Sequence, residues 1–334
     1  GHWKKQLPAK YLALAKKGDL PRLAVLLQAH PEFLSKRGSH NRTLLWEAAR
    51  NGKLATVTML VDAGADVNAT GCYNSETMVQ ITPYCAARHY GREAIAAYLW
   101  VHGSTLDIFR AAFLGDRLRV EQELAAQPDL LPAEDPHDEI YYVPLLSFAV
   151  AGGHANLAEF LIHSGAPITQ YSAQLLHLAA QAGRKDLVDL LLANGADPRA
   201  VGVGIFVAAD LHLLHYLLSK GVSPNGQGGA GVPPLVYVAR GDKGERPDKV
   251  GLLLEHGADI NASGPNGKTA LHYAAAAGHN SVVTLLLDRG ADATLADSEE
   301  HTALDLARAA GKITSSDLLA AGGAKVGGHL SPPE

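Results

Sequence analysis

The chain repeats itself at a fixed period of 33 residues, and this period restricts its fold more than any other feature of the sequence. Near the C-terminus, Thr269 begins a run that reads TALHYAAAAGH, and Thr302 begins a matching run, TALDLARAAGK, 33 residues later. A leucine-containing segment and a Gly-Ala pair follow each run. A unit of this size cannot bury its apolar face alone, so neighbouring units are expected to stack against one another.

The composition indicates that each unit consists of short helices. Hydrophobic residues make up 47% of the chain but aromatic residues only 6%, so the apolar content is mainly Ala, Leu and Val. Ala and Leu have high helix propensities. The 34 glycines then mark breaks between helices, because a glycine inside a helix costs about 1 kcal/mol.

The same pattern recurs with increasing variation towards the N-terminus. In the fuller copies a Thr or Pro starts the first helix, an Ala-Ala pair follows, a Gly precedes the turn, and a leucine run fills the second helix. The period and the T-x-L-H-x-A-A opening resemble the ankyrin repeat. The resemblance implies an all-α ankyrin-repeat solenoid of stacked helix–turn–helix units with projecting loops. We count about ten units, and their alanine-rich style is similar to that of bacterial ankyrin proteins.

A single ankyrin-repeat domain is expected over residues 7–324. Residues 1–6 are interpreted as a tag remnant or N-terminal extension, and residues 325–334 as a flexible tail. Units near 201–261 are degenerate, with one shortened and one lengthened inter-helix turn. Segments 70–81 and 131–143 exceed the repeat and predict two long loop fingers, of which the second is acidic.

Charge and cysteine content exclude several partner classes. The net charge is −5, so nucleic acid is not expected as a partner. No apolar run approaches the roughly 20 residues that span a bilayer, so membrane insertion is not expected either. Cys72 and Cys85 form no zinc or disulfide signature, and we expect neither a metal nor a cofactor. We expect a cytoplasmic monomer; a secreted or host-delivered effector remains an alternative, because the natural N-terminus is not assured.

The first helices and loop fingers of such a stack form a concave surface, which we predict to bind another protein. The pattern predicts a groove with a charged and aromatic N-terminal half, and an apolar-to-aromatic stripe from Phe148 to Tyr273. The candidate binding residues on this concave face are Trp46, Glu47, Arg50, His89, Tyr90, Arg110, Phe113, Phe148, Tyr237, Arg240 and Tyr273. Those on the loop fingers are Tyr73, Tyr141 and Tyr142. An alternative interpretation assigns the same positions to packing between helices.

The sequence contains no recognisable catalytic motif. We interpret His177 and His272, in the T-x-L-H position, as hydrogen-bonding braces between units. Because catalytic sites are spatial constellations, an enzyme or small-ligand-binding protein with a site in the concave aromatic groove is the alternative function. Titratable groups with shifted pKa values in one pocket would favour it. A third alternative is a modification substrate, since Asn68 and Asn261 resemble targets of an asparaginyl hydroxylase.

Overall fold

The computed structural model of the chain describes residues 6–73, 79–137, 142–202, 205–206, 209–226, 231–241 and 244–322. Nineteen α-helices and one two-stranded sheet lie within these residues, so the expected all-α fold is confirmed. The chain divides into two compact units, Gly1–Gln170 and Tyr171–Glu334, and each is described by itself. None of the described helices is long and apolar enough to cross a membrane.

The first unit contains five helix pairs. Its helices are α1 (Ala9–Lys17), α2 (Leu20–Ala29), α3 (Leu44–Arg50), α4 (Leu54–Asp62), α5 (Pro83–His89), α6 (Glu93–Val101), α7 (Ile108–Leu114), α8 (Arg117–Ala126), α9 (Leu145–Ala151) and α10 (Ala155–His163). Each odd-numbered helix contacts the even-numbered helix that follows it, and those from α1 to α7 also contact the next odd-numbered helix. The odd-numbered helices therefore form one continuous layer, as the repeat predicts.

The second unit, taken by itself, has a similar arrangement of helices. Its helices are α11 (Ser172–Gln181), α12 (Lys185–Ala193), α13 (Leu211–Ser219), α14 (Pro234–Arg240), α15 (Pro247–Glu255), α16 (Ala270–Ala277), α17 (Asn280–Asp288), α18 (Ala303–Ala309) and α19 (Ile313–Ala321). The first helices α14, α16 and α18 contact one another in sequence. Residues 205–206, ahead of α13, are also helical and lie in the region where the repeat is degenerate. The count of ten repeats stays a prediction.

Small side chains allow the first helices to approach closely. The alanine pairs in the middle of α3, α5 and α7 are fully buried, as is the first alanine of α9; they are Ala48, Ala49, Ala86, Ala87, Ala111, Ala112 and Ala149. Leucines of the second helices, such as Leu60, Leu99 and Leu161, are equally inaccessible to solvent. The Ala-Ala and leucine motifs thus form the core that the sequence predicted.

Side-chain hydrogen bonds connect successive repeats. Buried His272 accepts at Nδ1 from the Thr269 backbone N–H (3.1 Å), and its Nε2 lies 3.1 Å from the carbonyl oxygen of His301 in the next repeat. This arrangement confirms the predicted brace at His272, while the same role for His177 stays a prediction. Asn68 also connects successive repeats, on the loop side. It donates to the Gly103 carbonyl (3.0 Å) and accepts from the Thr105 backbone N–H (2.8 Å).

Candidate functional site

The first loop finger is fastened to helix α3 by side chains that precede it in the sequence. Its base is a short antiparallel sheet of β1 (Gly71–Cys72) and β2 (Gln80–Ile81). Arg42 donates from Nε to the Cys72 carbonyl (2.9 Å) and from Nη2 to the Tyr73 carbonyl (3.0 Å). The indole N–H of Trp46 donates to the carbonyl of Ile81 (2.9 Å). Backbone carbonyls exposed by the insertion therefore find donors on the helical scaffold.

A buried ion pair holds the Arg42 side chain in place. Its Nη1 lies 2.9 Å from Glu47 Oε1, and its guanidinium stacks over the Trp46 ring at 4.2 Å. Glu47 also accepts from Asn51 Nδ2 at 3.2 Å. Trp46 and Glu47 are buried, so the prediction that they are exposed on the binding face is wrong. They are covered because they anchor the finger.

Five side chains from α3, from α5 and the residue after it, from α7 and from the first finger meet beside this anchor. Tyr73, His89 and Phe113 form a triangle of rings with centroids 5.0–5.1 Å apart, and Tyr90 contacts His89 at 5.0 Å. The Arg50 guanidinium lies over the Tyr90 ring at 5.0 Å. His89 is exposed, Arg50, Tyr73 and Tyr90 are half-buried, and Phe113 is buried. These five residues are called the aromatic–arginine cluster below.

Partial burial leaves the cluster with a single formal charge. Burial lowers the pKa of His89, and the positive charges of His154 and Arg50 lower it further. Burial also raises the pKa of Tyr73 to about 12. The Tyr73 hydroxyl lies 3.0 Å from Nε2 of His89, a distance that suits a hydrogen bond between neutral groups. At neutral pH the Arg50 guanidinium is thus the one charged group among the five residues.

The second finger is anchored by a buried ion pair of its own. Arg110 on α7 donates from Nη1 and Nη2 to the two carboxylate oxygens of Asp135, at 2.8 and 2.7 Å. The Asp135 backbone N–H donates to the Val143 carbonyl (2.8 Å), and Glu134 forms an isolated β-bridge with Pro144. The ends of this insertion are therefore joined to each other and to the helix layer.

The ion pair engages one carboxylate of the acidic finger. Burial by itself lowers the pKa of Arg110, but hydrogen bonds to Asp135 and the charges of Asp107 and Asp135 raise it overall. Asp135 is buried against this cation, so its carboxylate is not free to recognise a basic partner. Tyr142 is exposed, whereas Tyr141 lies outside the described residues.

Three other candidates on the concave face are not exposed. Arg110, Phe113 and Phe148 are fully buried, so the predicted exposure of each is wrong. The Phe148 ring packs edge-on against Phe109 at 5.4 Å, and the Arg110 guanidinium lies 5.2 Å from its centre. Leu178, further along the predicted stripe, is buried as well. Phe148 therefore packs between first helices, as the alternative packing interpretation holds, whereas Arg110 anchors the second finger and Phe113 contacts Tyr73 of the first.

The candidates in the second unit retain some exposure. Tyr237 on α14 is half-buried, and the exposed Arg240 lies over its ring at 5.2 Å. Tyr273 on α16 is half-buried and accepts a hydrogen bond from Asn266 Nδ2 at 3.0 Å. A binding role for these three residues stays a prediction.

Known protein families account for most of the chain. A model described as ankyrin repeats (3 copies) matches residues 109–201, 205–297 and 235–327, and the single ankyrin repeat matches residues 40–72. The chain belongs to the ankyrin-repeat family. The resemblance that the T-x-L-H-x-A-A motif indicated is therefore confirmed.

Related ankyrin proteins share segments of this chain and are themselves much longer. The ankyrin repeat and KH domain-containing protein mask-1 of Caenorhabditis elegans is 33% identical over 224 residues, which cover 63% of this chain and 8% of mask-1. The nuclear factor NF-kappa-B p105 subunit of Gallus gallus is 29% identical over 155 residues, covering 42% of this chain and 16% of p105. The crystal structure of the ankyrin repeat domain of Bcl-3 superposes with a TM-score of 0.50 at 21% identity. It covers 65% of this chain and 99% of the Bcl-3 domain, a likeness that concerns the fold alone.

Proposed function

We propose that this ankyrin-repeat protein is a protein-binding module, acting as a scaffold, adaptor or effector, and that the aromatic–arginine cluster receives its partner. The supporting observation is the meeting of Tyr73 from the first finger with Arg50, His89 and Tyr90 from the ends of two helices. Tyrosine and arginine dominate the energetics of many interfaces. First-helix and finger surfaces are also where repeat proteins usually bind.

The exposure pattern within the cluster fits an interface better than a core. Its lowest ring, Phe113, is buried, while His89 is exposed and Arg50, Tyr73 and Tyr90 each keep part of their surface in solvent. Ring-to-ring and ring-to-guanidinium contacts restrict these side chains before any partner arrives. Binding then loses less side-chain entropy, which favours affinity.

The pKa shifts support binding more than catalysis. Both shifted groups in the cluster, Tyr73 and His89, are driven towards their neutral forms mainly by burial. A phenol whose pKa is near 12 is a weak nucleophile at neutral pH. These shifts lead us to keep protein binding as the proposed function. As a separate expectation from the sequence, we propose that the protein acts as a cytoplasmic monomer.

The test is partner capture with a variant that alters two solvent-accessible rings of the cluster. The double variant His89→Ala/Tyr90→Ala removes two contact rings, while Tyr98→Ala on α6 removes a ring that stacks on His102 outside the cluster. Proteins captured by the wild type and by Tyr98→Ala, but not by the double variant, would then be purified and measured by calorimetry. Equal affinity of such a partner for all three proteins would refute a role for the cluster.

A further inference from the structure

Arg50 differs from Arg42 and Arg110, the two buried arginines near the same layer of helices. Arg42 and Arg110 are each paired with a carboxylate, Glu47 and Asp135, at 2.9 and 2.7 Å. Within the described part of the chain, Arg50 has no carboxylate within 4.0 Å, and its guanidinium lies over the rings of Trp46 and Tyr90. Among the residues that the structure describes, the scaffold therefore places this cation without pairing it with a carboxylate.

Two rings hold the Arg50 guanidinium in a defined position. It lies 5.0 Å from the centre of Tyr90 and 5.9 Å from that of Trp46, which is itself fixed by its hydrogen bond to Ile81. An arginine stacked on aromatic faces keeps its N–H donors at the guanidinium edge available. Such an edge matches the two oxygens of a carboxylate, because two parallel hydrogen bonds can form at once.

No nearby group is ready to supply that carboxylate from within the described residues. The adjacent Glu47 is already engaged by Arg42 and Asn51. Tyr73 and His89 remain neutral at pH 7 for the reasons given above. As far as the described residues go, the site thus combines one positive charge that is paired with no carboxylate and a platform of rings, although the chain as a whole carries a net charge of −5.

We propose that the aromatic–arginine cluster binds a protein segment that presents one aspartate or glutamate beside an aromatic or aliphatic side chain, with Arg50 holding the carboxylate. The apolar neighbour packs on Tyr73, His89 and Tyr90. A single cation favours a single carboxylate, because a strongly acidic partner is repelled by the negative chain as a whole. A nucleic acid would need several phosphate-contacting cations, which the cluster does not offer.

Selection from a random peptide library tests this inference, which rests on the proposed function. The full chain is immobilised and exposed to phage-displayed 12-residue peptides, in parallel with Arg50→Gln and with Arg88→Gln. Arg88 is the matched control, because it lies on neighbouring α5 and is exposed in an ion pair with Glu93. We expect acidic residues beside aromatic or aliphatic ones to be enriched on the wild type and on Arg88→Gln, and the acidic preference to be lost on Arg50→Gln.

One selected peptide is then synthesised and its affinity measured by calorimetry. Arg50→Gln should weaken it tenfold or more, and replacing the peptide carboxylate by its amide should weaken it equally. Arg50→Gln combined with the amide peptide should lose no more affinity than either change alone, because both changes remove the same interaction. Thermal unfolding of each variant establishes that the fold is intact.

Three outcomes would overturn the inference. Peptides lost on His89→Ala/Tyr90→Ala, but equally tight on Arg50→Gln, would leave the proposed function standing and remove the carboxylate assignment. A phosphoserine version that binds more than tenfold tighter than the aspartate peptide would reassign Arg50 to phosphate recognition. Selected peptides that bind the His89→Ala/Tyr90→Ala variant as tightly as the wild type, or no enrichment at all, would contradict the proposed function together with the inference.

Discussion

The ion pair between Arg110 and Asp135 allows a quantitative test of how the second finger is held. Both side chains are almost completely inaccessible to solvent, with 1% and 0% of their surface exposed. Replacing Asp135 by alanine removes two charge-assisted hydrogen bonds and leaves the guanidinium buried. Among the described residues, the acidic neighbour that remains paired with Arg110 is Asp107, at 3.2 Å, whose side chain is 42% exposed.

The size of the effect follows from that burial. Breaking a buried ion pair by removing one partner costs about 3–5 kcal/mol, because an uncompensated charge is left behind. A partly exposed pair such as Arg110 with Asp107 offsets about 1 kcal/mol at most. We therefore expect Asp135→Ala to lower the free energy of unfolding by about 3 kcal/mol. Replacing both partners, as in Arg110→Met/Asp135→Ala, should cost less than the single change, since no charge remains buried.

Urea unfolding at neutral pH, followed by far-UV circular dichroism, measures these differences. Asp107→Ala is the matched control, and its effect should stay below about 1 kcal/mol because that carboxylate is partly solvated. A loss of less than about 1 kcal/mol for Asp135→Ala would refute the anchoring role of the ion pair. So would a double variant that is less stable than Asp135→Ala, because removal of the stranded charge would then bring no relief.

Three further perturbations address other contacts. Burial lowers the pKa of Lys249 to about 8. Between pH 8 and 10.5 the unfolded lysine still holds its proton while the folded one has lost it, so the free energy of unfolding should rise by up to roughly 3 kcal/mol over this range. Urea titrations of Lys249→Met should lack this rise. Burial also lowers the pKa of His272, so stability should fall as pH drops below about 6.5, its unfolded value; a His272→Gln variant should show a shallower acid dependence of its melting temperature. Asn68→Ala removes the hydrogen bonds to Gly103 and Thr105 and should cost about 1–2 kcal/mol in urea unfolding; an unchanged midpoint would contradict the bracing role.

The parts of the fold that sequence could predict depend on contacts that are local or repeat at the 33-residue period. Thr43 and Thr82 each accept from the backbone N–H three residues later, so the start of a helix is encoded within one turn. The alanine pairs were equally predictable, because the first helix of each repeat packs closely against the next and therefore needs small side chains at the same positions. Packing of this kind is visible in a single sequence.

The anchors of the fingers could not be predicted in this way. Arg42 bonds to carbonyls about 30 residues further along the chain, and Arg110 bonds to a carboxylate 25 residues away. Nothing in the spacing distinguishes an arginine that is covered by an insertion from one that faces solvent. The period placed Trp46 and Phe148 on the inner layer, but their burial depends on where the fingers fold and on how neighbouring rings fit.

Backbone hydrogen bonds join the two ends of each finger, and this has a consequence for how much sequence change the fingers can tolerate. Gly71 pairs with Ile81 in one insertion, and Asp135 bonds to Val143 in the other. Each loop therefore leaves and re-enters the scaffold at two residues that are held together. The entropy of closing a loop grows only slowly with its length once its ends are held together. New sequences grafted between these paired residues should therefore cost little stability. The fingers are thus the places where recognition can be diversified while the helices stay unchanged.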